Sequence, residues 1–229
     1  MTVVLPPIPF SECLREAWVA LNALYADDAR TIILGAHSEA CGDPPPDAII
    51  FNTEWPGVFS PRYRARLSRA AAVWDHSRSN MAGYDARVKV HCPLRYCREL
   101  ETIPARPKEI DIGFYGSLNE RRRAILGSHV ENIPYTFGKD RDEWIARVKV
   151  IVVPHYYGDN GVEQTRICHL LANGIAVVAE LAPDQDDVPG PVYVEPMRIV
   201  DTARELVKTG EWFQLGRSGR DAFKAGGGR

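Results

Sequence analysis

The chain has 229 residues, 45% of them hydrophobic and 25% charged, with a formal net charge of −2. These are the values of an ordinary globular protein with a sizeable core, and the near-neutral balance leaves nucleic-acid contact to a local patch. No apolar run approaches the roughly 18 residues that a membrane helix needs. The first residues, MTVVLPPIPF, lack the basic region of a secretory signal. Cys13, Cys41, Cys92, Cys97 and Cys168 are scattered, which fits reduced thiols; the expectation is a cytoplasmic protein without a membrane span.

Taken in chain order, residues 11–29 (SECLREAWVALNALYADDA) predict a serine-capped helix. Short apolar strands follow at 30–37 and 47–55, then a basic helix at 62–71 and a strand at 71–77. A short helix at 77–84 and a strand at 86–92 complete a first α/β domain, residues 1–92. Residues 93–109 (PLRYCRELETIPARPKE) break the rhythm with prolines and mixed charge and read as a linker.

The alternation restarts in a second domain, 110–229, with a strand at 109–117 and a helix at 119–130. A strand at 133–138, a helix at 140–148 and a strand at 149–156 come next. A helix at 162–174, a strand at 176–180 and one or two helices over 201–226 follow, with GGGR as a frayed end. Apolar strands alternating with helices imply parallel sheets covered on both faces. The fold class expected is α/β: two Rossmann-like domains facing each other across a cleft. Ligands of such sheets bind beyond the carboxyl ends of the strands.

Two strand exits carry the densest chemistry. FYGSLNERRR (114–123) leaves its strand at Gly116-Ser117 and starts a helix near Asn119. Gly116 permits close backbone approach, while helix N–H groups with Arg121 or Arg122 suit a phosphate; the alternative is a capped helix with solvated arginines. It is neither a dinucleotide fingerprint nor a P-loop. In HYYGDNGVEQTR (155–166), Glu163 and Arg166 share a helix face. The carboxylate suits ribose hydroxyls and the arginine a diphosphate, with His155, Tyr156 and Tyr157 beside them; the alternative is an internal ion pair. His169, a turn further on, reads equally as a packing histidine.

HYYGDNGVEQTRICHLLANGIAVVAE resembles the nucleotide-sugar-binding segment of GT-B glycosyltransferases, especially compact bacterial and phage members. DIGFYGSLNERR resembles the opening of their donor domain, and IIFNTEW with VWDHSRSN their acceptor-side domain, so the likeness spans roughly residues 30 to 180. It implies a nucleotide-sugar donor on the second domain, an acceptor on the first, and no cofactor or obligatory metal. Gly116, Ser117, Asn119, Arg121, Arg122, Tyr156, Glu163 and Arg166 would form the donor site, with His155 near the sugar or diphosphate. Retaining members often carry a pair of glutamates at positions that correspond here to Gly161 and His169, so both are missing.

On the acceptor side, VWDHSRSN puts Asp75 and His76 at a strand end, where either could take a hydroxyl proton; Asp75 could equally cap the next helix. Glu54 is a comparable cleft-edge carboxylate. Arg62, Arg64, Arg66 and Arg69 make a basic helix face, solvated or facing an anionic acceptor. The acceptor is thus a saccharide, a small molecule or a hydroxymethylated DNA base, and a non-catalytic nucleotide or sugar-phosphate binding module is the alternative function. The DQD of 184–186 reads as chance, and His91, Cys92 and Cys97 lack the further ligands of a zinc site.

Overall fold

The computed structural model describes residues 2–4, 11–25, 30–134, 136–158 and 161–227. It divides into two compact units, Met1–Leu94 and Arg95–Arg229. Each carries one five-stranded sheet whose described pairs are all parallel.

In the first unit the strands are β1 (Thr2–Val4), β2 (Thr31–Ile33), β3 (Ile49–Asn52), β4 (Ala72–Asp75) and β5 (Lys89–His91), lying side by side in chain order. Every residue of β3 and β4 is buried, as a strand covered on both faces requires. The pairing aligns Asn52 with Asp75 and Asp75 with His91, so their polar side chains gather at the carboxyl edge. Helix α1 spans Arg15–Leu24 and α2 spans Pro61–Arg69. Ser60 caps α2 by accepting from the Tyr63 amide at 3.1 Å, and Pro61 supplies a preset first turn.

The expected helix of residues 11–29 opens as a 3-10 turn, Ser11–Leu14, before α1 begins. Residues 26–29 lie outside the described ones. The expected helix at 77–84 is a 3-10 turn, Ser79–Gly83, too short to repay helix nucleation. Strand β1 was not expected, because three residues ahead of a proline-rich run give no periodicity.

The second unit contains β6 (Ile110–Tyr115), β7 (Glu131–Ile133), β8 (Val148–Val153), β9 (Ala176–Glu180) and β10 (Val192–Val194), in the order β7-β6-β8-β9-β10. From β6 the chain steps to one side for β7 and then crosses to the other for β8. The strand order therefore reverses between β6 and β8, and the crevice beyond the carboxyl ends of such a strand pair is where open parallel sheets take their ligands. Helices α3 (Glu120–Leu126), α4 (Gly138–Ala146), α5 (Gln164–Ala172), α6 (Ile199–Thr209) and α7 (Trp212–Gly227) flank the sheet. Ile112, Phe114, Val150, Val152 and Val178 pack with Ile199 and Ala203 of α6.

Strand β7 lies at 131–133 instead of the expected 133–138, since Pro134 has no amide to continue the ladder and Gly138, at φ +58°, turns into α4. Tyr135 lies outside the described residues. Strand β10 was missed because VYV is short and bracketed by prolines. Helix α7 runs through Gly227, past the start of the segment expected to fray; residues 228 and 229 lie outside the described ones.

Residues 95–109 hold one 3-10 turn, Arg98–Leu100, and are fastened to the second unit. Thr102 Oγ1 donates to Asp142 at 2.7 Å and therefore accepts from His169 Nε2 at 2.9 Å. Asn173 donates to Leu100 O and accepts from the Ile103 amide.

Helix α7 reaches the sheet through glycines. A Cβ on Gly216 would lie 2.2 Å from the carbonyl oxygen of Gly174, a backbone atom that has no rotamer in which to withdraw. Gly216→Ala is expected to destabilise the protein by about 1–3 kcal/mol, measured by urea unfolding.

Candidate functional site

The β6–β8 crevice is built by side chains from the start of α3. Asn119 caps that helix by accepting from the Arg122 amide at 2.8 Å. Three successive carbonyls of the loop after β8 are then captured from the same turn. Arg122 Nε donates to Pro154 O at 3.0 Å, Arg121 Nη1 to His155 O at 2.9 Å, and Asn119 Nδ2 to Tyr156 O at 2.7 Å. The loops leaving β6 and β8 are thereby joined into one rim.

Arg122 is buried, reaches Ser117 O with Nη1 and Glu163 with Nη2, and packs on the rings of Phe114 and Tyr156. Glu163 lies between this arginine and Arg166, whose Nη1 is 3.2 Å away in an ion pair without hydrogen-bond geometry. Burial pushes the Glu163 carboxyl up, but Arg166 and Arg122 outweigh it and hold the group below its ordinary range.

Arg166 lies over Phe114 and Tyr115 with ring-centroid distances of 5.3 and 4.9 Å. Its Nη2 abuts Gly116, where a Cβ would come within 2.8 Å and where φ is +121°. Only glycine meets both demands. Arg166 Nη1 and His155 Nδ1 are buried without a hydrogen-bond partner. Burial lowers the His155 pKa, only partly offset by Glu163 and Glu180, which favours the neutral ring at pH 7.

Two carboxylates to which the sequence reading gave no role complete the rim. Glu180, at the end of β9, accepts from the His155 amide and from Arg121. Asp184 accepts from the Val162 amide at 2.9 Å and so pins the loop ahead of α5. The signal for Glu180 was a lone charge closing an otherwise apolar strand, AVVAE.

In the first unit Asp75 is fully buried and its oxygens accept from Ser77 N, Asn80 Nδ2, Asn52 Nδ2 and Tyr84 OH. It is the hub of a polar network at the strand end, and the turn that follows, Ser79–Gly83, receives no side-chain cap, so the capping role expected as the alternative to a base is not made. His76 Nδ1 lies 2.9 Å from Asn52 O, an obligate acceptor, so Nδ1 carries the proton and Nε2 is the basic nitrogen of the neutral ring. Glu54 pairs with His37 at 3.5 Å. The basic face of α2 is largely paired within its own unit. Arg66 is buried against Ala36 O and Ser38 O, Arg64 donates to Gly83 O and Pro56 O, and Arg62 donates to Glu39. Arg69 lies 3.7 Å from Asp43.

No protein-family model matches the sequence, and no curated protein matches it. Solved structures do. TarM superposes with a TM-score of 0.58 at 12% identity, over 93% of this chain and 55% of TarM, so the chain spans about half the length of that protein. Sucrose-phosphate synthase from Thermosynechococcus elongatus gives 0.55 at 17% identity, over 93% of this chain and 72% of the synthase. AviGT4, a glycosyltransferase involved in avilamycin A biosynthesis, gives 0.52 at 15% identity, over 96% and 80%.

The fold is GT-B. Within this GT-B architecture, His169, which occupies the place of one expected glutamate, is spoken for by Thr102 and fastens residues 95–109 to α5. Among the described residues no group of three or more His, Cys, Asp or Glu side chains is placed to hold a metal ion, and no helix is long and apolar enough to cross a membrane.

Glu163→Gln removes the charge that compensates buried Arg122 and is expected to cost about 3–5 kcal/mol at neutral pH by chemical denaturation. The wild-type contribution of Glu163 is fully present above the ordinary glutamate pKa of about 4.3 and lost as pH falls through its lower folded value. The variant's stability should therefore fall less steeply in acid.

Proposed function

We propose that residues 95–229 bind a nucleoside diphosphate sugar at the β6–β8 crevice and that the chain transfers the sugar to a hydroxyl acceptor. The observation that carries this reading is Arg166. Its guanidinium is held by Glu163, Phe114, Tyr115 and Gly116, yet keeps a buried Nη1 without a hydrogen bond. A buried guanidinium N–H without a partner at a switch point suits a phosphate oxygen. The fold shared with sucrose-phosphate synthase and with the glycosyltransferase AviGT4 supports the same chemistry.

In the reaction the bond between the sugar's anomeric carbon and the diphosphate breaks, and a bond to the acceptor oxygen forms. Arg166 offsets the charge that develops on the departing phosphate, in a setting that needs no rearrangement. Arg121 and Arg122 act behind it by fixing the loop of residues 154–156. The acceptor's proton leaves to the departing phosphate itself. Asp75, with its oxygens engaged, shapes the strand end around His76. The paired arginines of α2 favour a saccharide or small-molecule hydroxyl over a DNA base as acceptor.

Arg166→Ala is expected to leave the fold intact, to weaken nucleoside diphosphate binding about tenfold or more in calorimetry, and to abolish diphosphate release from a panel of nucleotide sugars. Unchanged affinity would overturn the assignment.

A further inference from the structure

Glu180 closes β9 after four apolar residues and is itself 3% exposed. Its Oε2 accepts from the His155 amide and from Arg121 Nη1, each at 2.9 Å, and its Oε1 accepts from Arg121 Nη2. The same Arg121 Nη1 donates to His155 O at 2.9 Å. One carboxylate therefore holds His155 at both ends of its backbone, the N–H directly and the carbonyl through an arginine. Packing alone does not call for this, since a buried ion pair sacrifices hydration that an apolar pair would not.

The charges also matter. Arg121 and Glu180 sum to zero, whereas Arg122 and Arg166 against Glu163 leave one positive charge in the rim. Arg121 is about a third exposed, and its Nε runs beneath Gly158, where a Cβ would sit 3.7 Å from it. Without its carboxylate it would present a second cation to the ligand.

We propose that Glu180 is a positioning and specificity-determining residue of the crevice: it sets the His155 backbone and neutralises Arg121, so that Arg166 alone meets the phosphates. The second half of this role rests on the nucleotide-sugar reading above. The first half is independent of it.

Two measurements on the full chain test both halves. In amide exchange without ligand, the His155 N–H should exchange about tenfold or more faster in Glu180→Ala than in the wild type. Equal rates would overturn the positioning role. In calorimetry with a nucleoside diphosphate and the matching triphosphate, Glu180→Gln keeps the shape and removes the charge. The ratio of the two dissociation constants should shift about tenfold toward the triphosphate, from one unscreened charge near the phosphates.

Glu109→Gln makes the same charge change at an exposed ion pair with Arg147 and should leave the ratio as it is. A ratio unmoved by Glu180→Gln, or moved equally by Glu109→Gln, would overturn the charge-setting role. A wild type that binds neither nucleotide would overturn the nucleotide reading and the charge-setting role together, while the exchange rates still decide whether Glu180 holds His155.

Discussion

The carboxylate of Glu163 between Arg122 and Arg166 is the interaction on which the second unit's crevice depends. Buried arginine is tolerated only where a counter-charge and hydrogen bonds replace its water. Arg122 finds them in Glu163, Pro154 O and Ser117 O, and in doing so joins the exits of β6 and β8. Arg166 inherits its place from the same carboxylate, so the group proposed to meet the phosphates is aimed by the group that compensates buried Arg122. Rigidity of this kind is what electrostatic stabilisation of a leaving phosphate requires.

The long buried strands were legible because a strand covered on both faces has to be a continuous apolar run. Ile110–Tyr115 and Ala176–Glu180 lie inside the spans read from the sequence, and Val148–Val153 begins one residue before its span of 149–156. The edge strands were harder. Thr2–Val4 and Val192–Val194 are three residues each, too short for any period, and their prolines look like loop punctuation. The β7 error has the same root, since Pro134 ends the strand that its neighbours seemed to begin.

At the site, the sequence pointed to the loops that frame the crevice, but not to which side chains face inward. Arg121 and Arg122 are consecutive, and neighbours on a helix point roughly 100° apart. They diverge, one to Glu180 and the other to Glu163, so both brace the loop where the residue types had suggested phosphate ligands. Glu180 and Asp184 lay in stretches already noted, but their roles were not legible because their partners are backbone amides and an arginine far along the chain, which no local pattern encodes. In the first unit Asp75 carried two readings at once, and its four donors, one backbone amide and three side chains from Asn52, Asn80 and Tyr84, make it a network hub.

The central claim is that the β6–β8 crevice holds a nucleoside diphosphate. Hydrogen exchange of the full chain, read by mass spectrometry with and without a saturating nucleoside diphosphate sugar, tests it most directly. Slowed exchange over residues 116–122 and 162–169 is the expected result. Binding that leaves both segments unchanged and protects another part of the chain would contradict it.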